Sequence, residues 1–217
     1  RIIAALSEEI NMIEAFAQGE DIHASTAARV FNVDLNEVSK EQRSNAKTVN
    51  FGIIYGVSAF GLSNQTDLSR SEAKELIETY YTSYPKLKSF MSKQVDFARD
   101  NGYVQTVLNR RRYLNAINAS NAIVRGAAER NAINAPIQGS AADIIKIAMI
   151  KIQDLINNDK PDIEMILQVH DELIFEVPAD FTDEDIKPII SIMEETTKIS
   201  VPLKVEYGFG ANWREAH

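Results

Sequence analysis

The 217-residue chain contains no cysteine, which excludes a disulfide framework and a thiolate metal site and fits a reducing compartment. No apolar run reaches the roughly 20 residues that a membrane-spanning helix needs, so no membrane partner is expected. The opening RIIAALSEEI is not a secretory leader, because acidic residues follow its short apolar patch. It also has no initiator methionine, and Arg1 reads as a cut site inside a longer protein. Internal repeats and low-complexity stretches are absent as well. What is present is ordinary for a globular protein, with 45% hydrophobic and 25% charged residues. The length can bury a real core in one large domain or two small ones.

Positive charge is scarce overall, with a formal net charge of −8, which taken alone argues against a nucleic-acid partner. The distribution is uneven. Residues 1–42 hold 3 basic and 8 acidic side chains, residues 43–130 hold 13 and 7, and residues 131–217 hold 7 and 16. A basic middle can face phosphates while acidic flanks keep the chain soluble. Imbalance of this kind also arises with no ligand behind it.

Helical periodicity dominates up to about residue 100. Residues 2–18 read as one amphipathic helix, with Ile2, Ile3, Leu6, Ile10, Ile13 and Phe16 near one face. A second helix starts after Asp21, and a third after Ser39, with Gln42 in capping-box position. Ser71 with Glu72 opens another, running to Tyr84-Pro85, where proline ends or redirects the chain. GYVQTVLNRRRYL reads as a strand or short hairpin carrying a basic cluster. Helix is expected again from Asn121 to Ala135, interrupted at Pro136 and Gly139, then resumed from Ala141 to Ile156 in a stretch apolar enough to be buried. After Lys160-Pro161 the period changes, and MILQVH and LIFEVP read as two β arms joined at Asp171 and Glu172. A helix after Thr182 and a last strand, PLKVEYGF, complete an α+β chain.

Two stretches carry chemistry. In RSNAKTVNFGIIYG, Arg43, Lys47, Phe51 and Tyr55 recur every four residues and share one slowly drifting helix stripe. Two cations can hold phosphate oxygens, arginine by its fork and lysine as a point charge. Two aromatics further along offer flat faces for a base or sugar. A nucleoside triphosphate laid along the helix would meet them in that order. Any one pair is ordinary surface or core. Four in register favour a ligand, with Gly52 read as allowing close approach between the aromatics. In LQVHDELIFEV the reversal has no glycine, asparagine or proline at its tip, which is unusual for a tight hairpin. A carboxylate there is well placed for Mg²⁺, a hard cation that takes oxygen ligands, although acidic turns are common and spacing alone leaves both readings open. A third stretch, ERNAINAPIQGSAAD, steps Arg130, Asn134 and Gln138 by four, which without other support is a polar helix face.

Arg-x3-Lys-x3-Phe-Gly-x2-Tyr-Gly followed by His-Asp-Glu in the strand reversal resembles the family A DNA polymerases. VSAFGL, Tyr84-Pro85 and the ending VEYGFGANWREAH resemble them too, so the likeness covers essentially the whole chain. The resemblance implies template-directed DNA synthesis in replication and repair, from dNTPs on primer–template DNA. It implies residues 1–115 as mainly fingers and 116–217 as mainly palm, in a monomer of the bacterial cytoplasm and nucleoid. Arg43 and Lys47 would bind the incoming triphosphate and offset developing charge, Phe51 would stack near base and sugar, and Tyr55 would close the nascent pair. His23, in DIHASTA, matches a phosphate-contacting histidine. Asp171 would be a catalytic ligand in a site for two Mg²⁺ ions, Glu172 a supporting carboxylate, and His170 would position the primer end. Arg130, Asn134 and Gln138 would meet the DNA minor groove, and Arg110, Arg111 and Arg112 the DNA phosphates.

The departure is at the front. The family's Asp-Tyr-Ser-Gln-Ile-Glu-Leu segment, with the other metal-binding aspartate, would precede Arg1, so the chain by itself is expected to be inactive. A single-subunit RNA polymerase relative is a rival reading, against which Phe51 and Glu172 speak. A non-catalytic nucleic-acid-binding module derived from a polymerase is another.

Overall fold

The computed structural model describes every residue except Asp67, Pro161 and His217. Pro161, where the change of period is expected, therefore lies outside the described residues. The chain runs α1 (Ile2–Ser7), α2 (Ile10–Ala17), α3 (Ile22–Phe31), a 3-10 turn (Leu35–Glu37), α4 (Lys40–Ile54), α5 (Ala59–Ser63), α6 (Arg70–Ser83) and α7 (Pro85–Asn101). It continues through β1 (Tyr103–Gln105), β2 (Arg111–Tyr113), α8 (Ala122–Asp159), β3 (Glu164–Val169), β4 (Glu172–Glu176), α9 (Asp183–Glu195) and α10 (Trp213–Ala216). Two antiparallel hairpins, β1–β2 and β3–β4, stand among helices, which is the expected α+β content. The chain divides into two units, Arg1–Gly139 and Ser140–His217, with the boundary inside α8. Among the described residues no helix is long and apolar enough to cross a membrane.

In the first unit the helix expected over residues 2–18 is two helices. Glu8 adopts φ 53° and closes α1, and Glu9 starts α2. The break has a physical reason. Glu9 is buried, and its carboxylate accepts from Asn11 N–H at 3.4 Å and from Lys86 N–H at 2.9 Å. One acidic side chain thus serves the N-termini of both α2 and α7, where negative charge is favoured. The capping box at Ser39 and Gln42 forms as expected. That of α6 uses Ser69 with Glu72, so the helix starts before Ser71. Pro85 redirects the chain by occupying the first turn of α7, where its missing N–H costs nothing.

The β1–β2 hairpin pairs Tyr103 with Tyr113 and Gln105 with Arg111. Val104 beneath it joins Ala98, Leu114, Ile117, Ala128 and Ala132 in a small core. Proline in a helix interior removes one hydrogen bond and costs about 3 kcal/mol, which is why an interruption is expected at Pro136. The helix instead runs unbroken through it for 38 residues. Buried Ala128 and Ala132 pack on one side of the proline and Ala148, Ile152 and Ile156 beyond it, and this packing outweighs the local cost.

In the second unit, residues 141–156 bury one face rather than all round, since Ile150 is 63% exposed. Ile152, Ile156, Ile163 and Ile189 form the core under the β3–β4 hairpin, with Met165, Leu173 and Phe175 packed against it. Thr182 precedes α9 as expected, and its N–H and hydroxyl both donate to Asp185. The last strand expected in PLKVEYGF does not form. A strand exists only with a ladder partner, and Val205 N–H donates instead to the Glu194 carboxylate at 2.9 Å.

Candidate nucleotide and nucleic-acid site

Helix α4 is two-faced. Ala46, Val49, Asn50 and Ile53 are buried, while Arg43, Lys47, Phe51 and Tyr55 lie on the accessible side. Half of the Phe51 and Tyr55 side chains is exposed, so a large apolar surface faces water beside two cations. Tyr55 is the C-cap of the helix and Gly56 follows with φ 71°. The missing β carbon of Gly52 also makes room within the chain itself. A β carbon there would come within 2.7 Å of Val57 Cγ1, and one at Gly61 within 2.9 Å of Val57 Cγ2. The two glycines make room for Val57 where the chain folds back after α4. A β carbon at Gly56 would approach Arg130 Cγ at 3.0 Å, which places the Arg130 stem against the end of the stripe.

Arg43 is oriented by Asp21. Its Nε donates to Asp21 Oδ2 at 2.7 Å and its terminal nitrogen lies 2.6 Å from the same oxygen. Asp21 also caps α3, accepting from the His23 and Ala24 N–H groups. These hydrogen bonds hold its carboxyl below the usual range although burial opposes them. His23 lies next to the stripe, its ring centroid 5.8 Å from that of Phe51. Its pKa is lowered, chiefly by burial, with the Arg43 and Lys47 cations adding and Asp21 opposing.

Behind this face lies a buried polar network that sequence reasoning missed. Asn50 Nδ2 and His23 Nδ1 are 3.0 Å apart. The Tyr80 hydroxyl donates to Asn50 Oδ1 at 2.9 Å. Thr26 Oγ1 bridges Asn50 and the Tyr84 hydroxyl, the latter at 3.0 Å. Burial raises the pKa of both tyrosines, so they act as neutral hydroxyls. One signal was available: residues 46, 49, 50 and 53 follow the helical period of a buried face, and Asn50 is the polar residue among them. Asp21 was likewise legible as a helix cap, but not as a partner of Arg43, because the pair joins two helices.

The β3–β4 turn is His170-Asp171, with Glu172 already in β4 opposite Val169, one residue earlier than the expected Asp171-Glu172. His170 has φ 53°, a left-handed conformation that glycine would adopt more easily, and its carbonyl accepts from Gln168 Nε2 at 2.6 Å. Asp171 is exposed at the tip. Glu172 accepts from the Trp213 indole N–H at 3.0 Å, a partner the sequence did not suggest. The fit to a metal is partial. Asp171 can offer one oxygen ligand, but among the described residues no three carboxylate or imidazole side chains come together to hold an ion.

Arg130, Asn134 and Gln138 do share the helical run of α8. The Asn134 side-chain oxygen is buried without a hydrogen-bond partner among the described residues. Of the three arginines, Arg111 stacks over the Tyr103 ring at 4.4 Å. Arg111 and Arg112 alternate along β2 and so point to opposite faces.

The sequence profile described as DNA polymerase family A matches residues 1–215. This chain belongs to DNA polymerase family A. Among its relatives in the family, DNA polymerase I of Caldicellulosiruptor bescii is 48% identical over 99% of this chain. DNA polymerase I of Streptococcus pneumoniae is 48% identical over the whole chain, and that of Geobacillus stearothermophilus 45%. The chain spans about a quarter of the length of these curated relatives. Among solved family structures, the polymerase domain of Pol1 from M. smegmatis, in complex with DNA primer-template and dNTP, matches with a TM-score of 0.94 at 44% identity. The match covers 99% of this chain and 38% of that one.

Proposed function

We propose that this chain is the fingers and part of the palm of a DNA-directed DNA polymerase, with residues 1–115 mainly fingers and 116–217 mainly palm. The observation that carries the reading is the accessible stripe of α4, where Arg43 and Lys47 precede the half-exposed Phe51 and Tyr55. The reaction is attack of the primer 3′-hydroxyl on the α-phosphate of a dNTP, with loss of pyrophosphate. Lys47 and Arg43 bind the triphosphate and offset the charge that builds on it. Asp21 holds the Arg43 fork in one orientation before nucleotide arrives, and the phosphates compete with that carboxylate for it. Phe51 stacks beside base and sugar, and Tyr55 closes over the new pair. Arg130, Asn134 and Gln138 contact the duplex minor groove, where the Asn134 oxygen finds a donor. Arg110, Arg111 and Arg112 contact DNA phosphates, and His170 the primer end. The primer-template and dNTP bound by the mycobacterial neighbour support this choice of ligands.

Asp171 is one carboxylate ligand for Mg²⁺, with Glu172 held beside it by Trp213. Mg²⁺ held there would supply Lewis-acid chemistry, favouring ionisation of the attacking hydroxyl and offsetting charge on the leaving phosphates. The protein acts as a monomer on the bacterial nucleoid. The test is primer extension by the full-length polymerase with Mg²⁺, wild type beside Asp171→Asn. The variant should lose about three orders of magnitude in rate, several kcal/mol of charge stabilisation, while still binding DNA. Equal extension by both would remove Asp171 from the machinery.

A second reading concerns the 217-residue chain by itself. In it the chain, whose exposed Asp171 offers a metal one oxygen ligand, binds nucleotide or DNA without extending a primer. Extension by the isolated chain would refute this.

A further inference from the structure

The buried network behind the stripe fixes more than packing. An amide nitrogen can only donate, so Asn50 Nδ2, 3.0 Å from His23 Nδ1, requires that ring nitrogen to accept. The orientation of the Asn50 amide is itself fixed. Among the described residues, the acceptor within reach of the buried Tyr80 O–H is Asn50 Oδ1 at 2.9 Å. Turning the amide over would leave that hydroxyl without an acceptor, a cost of about 1–3 kcal/mol. The charges facing His23 are Asp21 at the start of its own helix and Arg43 and Lys47 on α4. Tyr80 and Tyr84 reach it only through Asn50 and Thr26.

We propose that Asn50 is a positioning residue for nucleotide binding: by donating to His23 Nδ1 it holds the imidazole neutral, with the proton on Nε2 and available to a phosphate oxygen of the dNTP. The inference rests on the nucleotide reading of the α4 stripe. It makes His23 a neutral, directed donor rather than a third cation beside Arg43 and Lys47. Its lowered pKa, caused first by burial, is consistent with that form. Protonation of Nδ1 would set two donors face to face, so the arrangement is lost in acid.

The test uses the full-length polymerase. Nitrogen-15 NMR of imidazole-labelled wild type at about pH 7.5, above the ordinary histidine range, should show His23 with Nδ1 bare and Nε2 protonated. Nδ1 found protonated overturns the proposal, and this measurement needs no variant to fold. In steady-state kinetics, Asn50→Leu should raise the KM for dNTP about five-fold, roughly one hydrogen bond, with kcat within about two-fold. In a His23→Ala background the same substitution should add less than about two-fold. Tyr80→Phe, which frees the Asn50 amide to turn over, should also raise KM, by no more than Asn50→Leu, and should add less than about two-fold in the His23→Ala background; a Tyr80→Phe effect on KM that persists in that background would make the network purely structural. If His23→Ala raises KM but the Asn50 effect simply adds to it, the Asn50 proposal falls and the nucleotide reading stands. If His23→Ala leaves KM unchanged, the nucleotide role of His23 falls and the proposal with it.

Discussion

The α4 stripe and the β3–β4 turn both present the side chains proposed to be functional from a few consecutive residues, but they are supported in different ways. Behind the stripe, Asn50, Thr26, Tyr80 and Tyr84 form a buried hydrogen-bonded block joining α3, α4 and α6. In front, Asp21 and His23 of α3 reach the stripe directly. The turn is held more simply. Asp171 stands exposed at its tip, and its geometry comes from a strained His170 backbone and from Glu172 bonded to Trp213. Ligand phosphates are bulky and carry spread charge, so they need a broad face built by several helices. A metal ligand needs one oxygen at one place, which a carboxylate on a two-residue turn would supply under the proposed reading.

The contrast can be broken at several points. Lys47→Ala should cut kcat/KM about 100-fold, close to 3 kcal/mol, without lowering the Tm, because the lysine lies on the accessible side of α4. A loss of Tm instead would make it structural. Gly52→Ala should lower stability by about 1–2 kcal/mol, since overpacking outweighs the gain in helix propensity. Val57 is caught between Gly52 and Gly61 and cannot move away from one without meeting the other. An unchanged or raised melting temperature would show that Val57 yields. At the turn, His170→Val should cost about 1–2 kcal/mol, because a branched β carbon tolerates positive φ poorly. His170→Gly should stay within about 1 kcal/mol of wild type, strain relief offsetting added chain freedom. Equal effects would mean that the turn stores no strain.

The smallest effect concerns pH. The hydrogen bond from Lys160, with those from Thr182, holds the Asp185 carboxyl at about 2. A folded value below the unfolded one means that the unfolded state binds more protons in acid. The stabilisation is therefore complete above the ordinary aspartate range of about 4 and is lost as pH falls through about 2. Lys160→Met should shift the acid transition of the far-UV circular dichroism signal to higher pH. No shift would place the support of α9 elsewhere.

Much of this was legible in the chain. Arg43, Lys47, Phe51 and Tyr55 declared one helix face by their spacing, and Ser39 with Gln42 declared its start. LQVHDELIFEV declared a hairpin with an acidic reversal. The errors share a cause. The single helix over residues 2–18 failed because Glu9 is drawn inward to cap two helices far apart in sequence. The interruption at Pro136 failed because packing on both sides of it keeps α8 helical. The strand in PLKVEYGF failed because local β propensity cannot supply a partner.

The sequence by itself determined what depends on neighbours along the chain: the amphipathic faces, the caps, the hairpin arms and the order of cations and aromatics on α4. These follow from the periods of 3.6 and 2 and from hydrogen bonds spanning a few residues. Only the tertiary structure decided which polar groups meet across elements: Arg43 with Asp21, Asn50 with His23 and Tyr80, Glu172 with Trp213. Those pairs lie 22 to 41 positions apart, and the burial that strengthens the Asn50 bonds exists only after the chain has folded.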